Sequence, residues 1–434
     1  MRRRFLSIAA KAAKQKRGKT VNLNKVWEFI LSEKVFPIVV VLLIIVMAVV
    51  TVVREGKDIK VGLYGVTQML ARQSPYDNPT DANRPIFRYA PAFTILQAPF
   101  LLTSRATGPY EFEGILPSVF FWYVAEIIAL LGSVFVLMRL IPAVSAAAAK
   151  RNMRISIILA LPLIAYELSN CQNKLIALAF LLFAVYMFEK KRYFLSSILL
   201  SLALTIYIPL AFFVFYFIFR SRGKYIVSLI LGGLAVFVIA PSLIWGIEYN
   251  NFLLKDWYMR CLKPFILTKS YATYMELRPS SQSLPSAIAR IFISGAAAPY
   301  KYVIPPEAIH ILIRICSTTV LAVSLATVWR RLRPRLLGIS YAVFLPLALI
   351  TPSYCIWYTW AYLFVLYFAA LNYISYPDVA PDERRLVKFA VGILLVTSYS
   401  IAVGPLNNIS VMFWGTLFFW GAAVAVILKN MRVS

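Results

Sequence analysis

Apolar runs of about twenty residues recur along this chain between Val35 and Leu428, and short basic segments separate them. A helix of that length spans the hydrocarbon core of a bilayer. Hydrophobic residues make up 61% of the 434 positions. Charged residues make up 15%, whereas an average soluble chain carries roughly 25%. The sequence therefore predicts an all-α polytopic membrane protein and excludes a soluble globular domain or a disordered chain.

The net charge of +27 lies mainly in the short segments between the apolar runs. Lysine and arginine concentrate in cytoplasmic loops, so this charge indicates membrane orientation rather than a nucleic-acid partner. With a basic arm at residues 1–34 placed inside, we predict about twelve crossings and two cytoplasmic termini. One integral membrane domain then covers residues 35–428, and a short tail follows at 429–434. The arm either fixes the orientation alone or also contacts anionic lipid headgroups.

The predicted crossings follow from the apolar runs and their basic ends. They are Val35–Val53, Pro117–Ile141, Ile155–Leu168, Leu175–Phe188, Tyr193–Phe219, Tyr225–Ile247, His310–Val328, Leu336–Ile350, Trp357–Tyr373, Phe389–Val403 and Ile409–Leu428. Basic residues flank Tyr193–Phe219 at both ends, so we expect two short limbs broken near Tyr207-Ile208-Pro209. The long segments 54–116 and 248–307 are predicted outside. Their short apolar stretches, Ala90–Leu102 and Ser286–Ala298, are expected to form interfacial or re-entrant helices.

Sequence motifs exclude several kinds of enzyme. The chain has no Walker loop, GxGxxG, HExxH or GxSxG motif, so nucleotide hydrolysis and the familiar hydrolase sites have no support. The four cysteines show no paired spacing, which argues against a disulfide framework or a zinc site. The acidic residues form no cluster dense enough to demand a divalent ion. We therefore expect neither a metal nor a cofactor.

The first candidate for chemistry is Asp58, in the stretch Arg54-Glu55-Gly56-Lys57-Asp58 just beyond the first crossing. A partly desolvated carboxylate at the outer membrane face is suited to act as a general base. The alternative is an ordinary salt bridge at the membrane edge with Lys57 or Lys60.

Four further residues are candidates for binding, and each has a structural alternative. Arg84 and Arg88 carry guanidinium groups that match phosphate oxygens, although either side chain can equally be snorkelling at the interface. Glu167 lies near the outer end of an apolar helix, where it either faces a polar cavity or pairs with Lys174. His310, at the start of a crossing, is either functional or structural.

Several short motifs occur in a fixed order between Lys57 and Tyr373. They are Lys57-Asp58, Tyr64, Ser74-Pro75-Tyr76, Phe87-Arg88-Tyr89-Ala90-Pro91, Asn170-x-Gln172, Ser281-Gln282-Ser283-Leu284 with Arg290, and Thr351-Pro352-Ser353-Tyr354. In this order they resemble glycosyltransferase family 87, whose members are polyprenyl-phosphate-mannose-dependent mannosyltransferases of the GT-C superfamily. The chain departs from the family pattern at four places. Cys171 replaces a turn glycine, Ser281 an asparagine and Tyr354 a tryptophan, and the histidine expected near Ile356-Trp357-Tyr358 is missing.

The resemblance implies a GT-C-type bundle that takes mannose from a polyprenyl-phosphate-linked donor. The sugar passes to a hydroxyl of a lipid or glycan acceptor at the extracytoplasmic face of the cell (plasma or inner) membrane, with inversion and Asp58 as base. The lipid-linked sugar phosphate is then a co-substrate, and the remaining partners are membrane lipids. The residues expected to bind substrate are Arg88, Arg84, Arg260, Arg278, Tyr89, Glu167, Asn170, Gln172, Gln282 and His310.

Two other kinds of protein share the general pattern. A multi-pass transporter or lipid flippase also has many crossings, although such proteins are often built from repeats with matching broken helices. Only one broken element is visible here, near Pro209. A scaffold that has kept the fold without activity is the third possibility.

Overall fold

The computed structural model describes residues 28–56, 58–76, 87–101, 104–108, 110–263, 280–292, 305–328, 332–352, 355, 357–400, 406 and 409–431. The chain divides into two compact units, Met1–Val46 and Met47–Ser434. In the first unit the Ser32 hydroxyl accepts a hydrogen bond from the Val35 N–H at 3.2 Å, where helix α1 begins. This contact supplies one of the donors that a helix start leaves unpaired.

The described residues form a helical bundle with one small β-hairpin. The helices are α1 (Val35–Val53), α2 (Ile59–Leu70), α3 (Pro91–Leu101), α4 (Ile115–Leu140), α5 (Ala146–Ser169), α6 (Lys174–Glu189), α7 (Tyr193–Ile206), α8 (Phe212–Ser221), α9 (Ile226–Trp245), α10 (Ile247–Trp257), α11 (Leu284–Phe292), α12 (Pro306–Val328), α13 (Pro334–Ile350), α14 (Leu363–Ser375), α15 (Pro381–Tyr399) and α16 (Val411–Met431). Short 3₁₀ helices lie at Ile208–Ala211 and Trp357–Tyr362, and π-helical turns at Leu234–Ile239 and Tyr258–Leu262.

Six helices in the described part of the chain are long and apolar enough to cross a membrane. They are α1, α4, α5, α9, α12 and α16. Five further apolar stretches are shorter: Pro91–Leu101, Tyr193–Ile206, Ile208–Ser221, Pro334–Ile350 and Thr359–Ser375. The protein is therefore an all-α multi-pass membrane protein, as the sequence predicts, and the direction and total number of crossings stay predictions.

The predicted break near Pro209 is confirmed. Helix α7 ends at Ile206, Tyr207 is extended (φ −143°, ψ 90°), and a 3₁₀ turn leads into α8. Proline lacks the backbone donor that a continuous helix needs, which explains the break. The extended residue turns its ring inward, where the Tyr207 hydroxyl donates to the Ala348 carbonyl oxygen at 2.8 Å.

The segment 54–116 contains more regular structure than the sequence predicts. Helix α2 and an antiparallel hairpin, in which Arg105 pairs with Glu113, lie inside it. The predicted short helix at Ala90–Leu102 is α3, and the one at Ser286–Ala298 overlaps α11, with its last residues outside the described part. Side chains of this segment pack with those of α9 and α10 around Phe87, Trp245 and Trp257.

Candidate active site

Two turns at one end of the bundle touch, and this contact fixes the backbone at Asp58. The turn from α1 to α2 contains Gly56, the turn from α5 to α6 contains Cys171, and both residues have a φ of 49°. A Cβ on Gly56 would lie 3.1 Å from Cys171 Sγ and 3.1 Å from the Val119 side chain. Glycine therefore suits this position, because it adopts the left-handed backbone readily and has no Cβ to block the close approach. Across the contact, the Asp58 N–H donates to the Asn170 carbonyl oxygen at 3.3 Å.

The Asp58 side chain takes no part in capping the helix that follows it. Asp58 is the residue before α2, and its carboxylate makes no capping hydrogen bond to that helix. The side chain is partly exposed. Lys60, one of the two lysines considered as its partner, forms an ion pair with Glu55 at 2.6 Å, and Lys57 lies outside the described residues. This pair holds the pKa of the Glu55 carboxyl below its usual value.

Glu167 caps the start of α6. It is fully buried in the last turn of α5, and its Oε1 accepts the backbone N–H groups of Lys174 at 2.7 Å and Leu175 at 3.3 Å. The first N–H groups of a helix lack partners inside it, and the helix dipole favours a negative charge there. Glu167 therefore contacts Lys174 through the backbone, whereas the Lys174 ammonium donates to Asn173 Oδ1 at 3.1 Å.

Lys174 is the cation at the centre of this cluster. It is 7% exposed, and its Nζ lies 4.9 Å from the ring centre of Tyr207 and 5.5 Å from that of Tyr89. The Tyr362 hydroxyl donates to the Lys174 carbonyl oxygen at 2.9 Å. Asp58 lies within electrostatic range of the Lys174 ammonium. Residues from five separate stretches of sequence therefore meet around Lys174.

Hydrogen bonds to its backbone hold the stretch that begins at Phe87 in place, with its side chains in the cluster. The Tyr76 hydroxyl donates to the Tyr89 carbonyl oxygen at 2.8 Å, and the Trp257 indole N–H donates to the Arg88 carbonyl oxygen at 3.1 Å. The Arg88 guanidinium lies within electrostatic range of Tyr89. Arg88 and Tyr89, both predicted to bind substrate, are partly exposed.

Desolvation raises the pKa of the Tyr89 hydroxyl above its ordinary value. The Asp58 carboxylate adds to the rise, and a hydrogen bond with Asn173 opposes it. The phenol therefore stays protonated at neutral pH, so that it can donate a hydrogen bond.

The later motif around Gln282 joins the cluster through Cys355. The Gln282 N–H donates to the Cys355 carbonyl oxygen at 2.8 Å, and the Cys355 N–H donates to Ser281 Oγ at 3.3 Å. The Cys355 thiol contacts Tyr207 and lies within electrostatic range of Lys174. The Gln282 side chain itself is fully buried.

Asn170 and Gln172 shape the turn between α5 and α6. The Asn170 amide donates to the Tyr166 carbonyl oxygen at 2.6 Å, which closes the end of α5. The Gln172 side chain is buried, and its backbone carbonyl oxygen accepts the Trp122 indole N–H at 3.4 Å. Their positions support the turn that carries Glu167 and Lys174.

Four predicted binding residues remain: Arg260, His310, Arg84 and Arg278. Arg260 follows α10 and forms an ion pair with Asp256 at 2.5 Å, with about half of the arginine side chain exposed. His310 is buried on α12, which packs against α11, the helix that follows the Gln282 motif. Arg84 and Arg278 lie outside the described residues.

The sequence reasoning missed Lys174 as a site residue, and it missed Glu126 altogether. Glu126 is fully buried within α4 and lies within electrostatic range of Glu167 and Asp58. A carboxyl group inside a long apolar helix is a functional signal by itself and would have identified this residue. Among the described residues, no three His, Cys, Asp or Glu side chains are grouped to hold a metal ion.

The described residues form an apolar helical bundle in which carboxyl groups, a lysine and tyrosines gather at two touching turns. This arrangement is that of an integral membrane protein with a buried polar site. The sequence model of glycosyltransferase family 87 matches residues 87–340, which is more than half of the chain. The chain belongs to glycosyltransferase family 87 and is a membrane glycosyltransferase. The match begins at Phe87 and includes the motifs around Asn170 and Gln282, whereas Asp58 precedes it. No curated protein matches the chain.

Proposed function

We propose that this glycosyltransferase moves mannose from a polyprenyl-phosphate-linked donor to a hydroxyl of a lipid or glycan acceptor. The donor and the sugar are those that the family resemblance implies. A lipid-linked donor requires no sugar-nucleotide pocket, which fits the absence of Walker and GxGxxG nucleotide-binding motifs from the sequence.

The placement of Asp58 is the observation that carries this proposal. Its backbone is fixed by Asn170, its side chain is partly exposed and does not cap α2, and its charge reaches Tyr89 and Lys174. A carboxylate held in this way can accept a proton from a bound hydroxyl without rearrangement of the backbone.

The reaction is a single displacement at the anomeric carbon. The acceptor oxygen bonds to that carbon while its proton passes to Asp58. The bond between the anomeric carbon and the phosphate oxygen breaks, and its electron pair stays on the phosphate. Attack from the side opposite the phosphate inverts the anomeric configuration, by the logic of inverting glycosidases.

The site is proposed to face the extracytoplasmic side of the cell membrane. The basic arm and the basic short loops favour a cytoplasmic location for both termini. One crossing after the arm, the chain reaches Asp58 on the opposite side. The sugar donor would then enter from the bilayer beside the site.

The test uses purified full-length protein in liposomes, with radiolabelled farnesyl-phosphate mannose as donor and octyl mannoside as acceptor. We expect a mannosylated product of inverted configuration. Asp58→Asn should lower its rate about 100- to 10,000-fold, because a positioned base contributes that much. Glu55→Gln is the matched control, since Glu55 lies in the same turn, is exposed and pairs with Lys60.

Two results would contradict the proposal. Full transfer by Asp58→Asn would remove Asp58 as the base. Movement of the labelled lipid across the bilayer by the wild type, with no glycosidic product, would instead indicate a transporter.

A further inference from the structure

The described residues around the Lys174 ammonium satisfy only part of its hydrogen-bonding capacity. An ammonium carries three N–H donors, and Asn173 Oδ1 is the one hydrogen-bond acceptor that the described residues give it. The rings of Tyr89 and Tyr207 add attraction through their faces without accepting conventional hydrogen bonds. Within the described part of the chain, two of its N–H groups therefore have no acceptor and can bind a ligand.

The Glu167 carboxylate lies within electrostatic range of the ammonium, but the hydrogen bonds it accepts come from backbone N–H groups. Glu167 Oε1 is occupied by two backbone N–H groups at the start of α6. A buried cation is costly unless it is paired and hydrogen-bonded, so a site that keeps one with two donors to spare suits an incoming anion.

We propose that Lys174 binds the phosphate of the lipid-linked donor and stabilises the charge that this phosphate gains on leaving. This inference rests on the proposed function. The donor phosphodiester carries one negative charge, and departure with the bonding electron pair gives a phosphate monoester with two. An ammonium already in place stabilises the product-like transition state more than the ground state, which accelerates the reaction.

The placement of Lys174 supports this role. Its amine contacts Tyr89, and Asp58 acts on both residues, so the base and the cation belong to one site. Asp58 and Lys174 come from different turns. A sugar held between them would have the base on one side and the leaving phosphate on the other.

Binding of geranylgeranyl phosphate and of uncharged geranylgeraniol to the protein in phosphatidylcholine nanodiscs tests the inference. The ratio of the two affinities isolates the contribution of the phosphate. We expect Lys174→Met to lower this phosphate preference about 10- to 100-fold, as for the loss of a charged hydrogen bond, and Lys174→Arg to keep most of it. If Lys174 had a purely structural role, its substitution would lower the affinities for both ligands alike.

Lys190→Met is the matched control, because Lys190 directly follows the same helix and its Nζ lies 5.6 Å from the ring centre of Tyr186, but the residue is exposed. It should leave the preference unchanged. An unchanged preference in folded Lys174→Met would overturn the inference while sugar transfer by the wild type still supported the proposed function. Conversely, a preference that depends on Lys174 supports phosphate binding by this residue even if no transfer is found, a result that would refute the proposed function and the role of Lys174 in catalysis.

Discussion

Gly65→Ala is expected to disturb the active site through packing alone. Gly65 lies on α2 against the ring of Phe87, which is fully buried. A Cβ on Gly65 would lie 2.3 Å from Phe87 Cε2 and 2.6 Å from Cδ2. The Phe87 ring in turn packs on Tyr76 and Tyr89, with ring centres 5.5 Å and 5.4 Å away. The Phe87 ring therefore has little space into which it could move, and any shift of this ring also displaces Tyr89.

The size of the effect follows from these distances. Ordinary contacts begin near 3.4 Å, so the ring or the helix must move by about 1 Å. Overpacking of a close-packed interior costs about 1–3 kcal/mol, and we expect the upper end for a rigid ring. Alanine is better than glycine in a helix by about 1 kcal/mol, which leaves a net destabilisation of about 2 kcal/mol.

The assay compares thermal unfolding midpoints in detergent and sugar-transfer rates of Gly65→Ala with those of Gly392→Ala. Gly392 also lies in a helix, α15, but an added Cβ meets nothing within 4 Å. Gly65→Ala should lower the midpoint by a few degrees and slow transfer, whereas Gly392→Ala should leave the midpoint unchanged or raise it. Adding Phe87→Leu to Gly65→Ala should restore part of the loss. Equal midpoints for the two single variants would refute the packing argument.

The other predictions concern the cap of α6 and a buried thiol. Glu167→Ala removes the acceptor of two backbone N–H groups and should lower the free energy of unfolding by about 2–4 kcal/mol. Glu167→Gln keeps an oxygen at this position and should lower it less. Equal losses of stability in thermal unfolding would contradict the capping role. Burial raises the pKa of the Cys261 thiol to about 12, so the reactive thiolate is scarce below that pH. Iodoacetamide at pH 8 should therefore spare Cys261 in the folded protein and modify it after unfolding, as mass spectrometry would show; rapid modification of the folded form would contradict its burial.

Local patterns were sufficient to predict the long apolar helices. The apolar run Val35–Val53 is helix α1 with the same bounds, and Pro209 was enough to predict the break after Ile206. Both depend on properties of adjacent residues, namely transfer into lipid and the missing proline donor. Helix α2 and the hairpin at 105–113 were missed, because they are too short or too polar to show in a search for long apolar runs.

The sequence by itself determined that this chain is a helical membrane protein, resembles family 87 and carries a candidate carboxylate at Asp58. Only the tertiary structure decided that Lys174 is a buried cation beside Tyr89 and Tyr207, and that Glu167 caps α6. The physical reason is that hydropathy and helix breaks are local. The neighbours of a buried side chain, by contrast, come from contacts such as that of Gly56 with Cys171, between residues far apart in the chain.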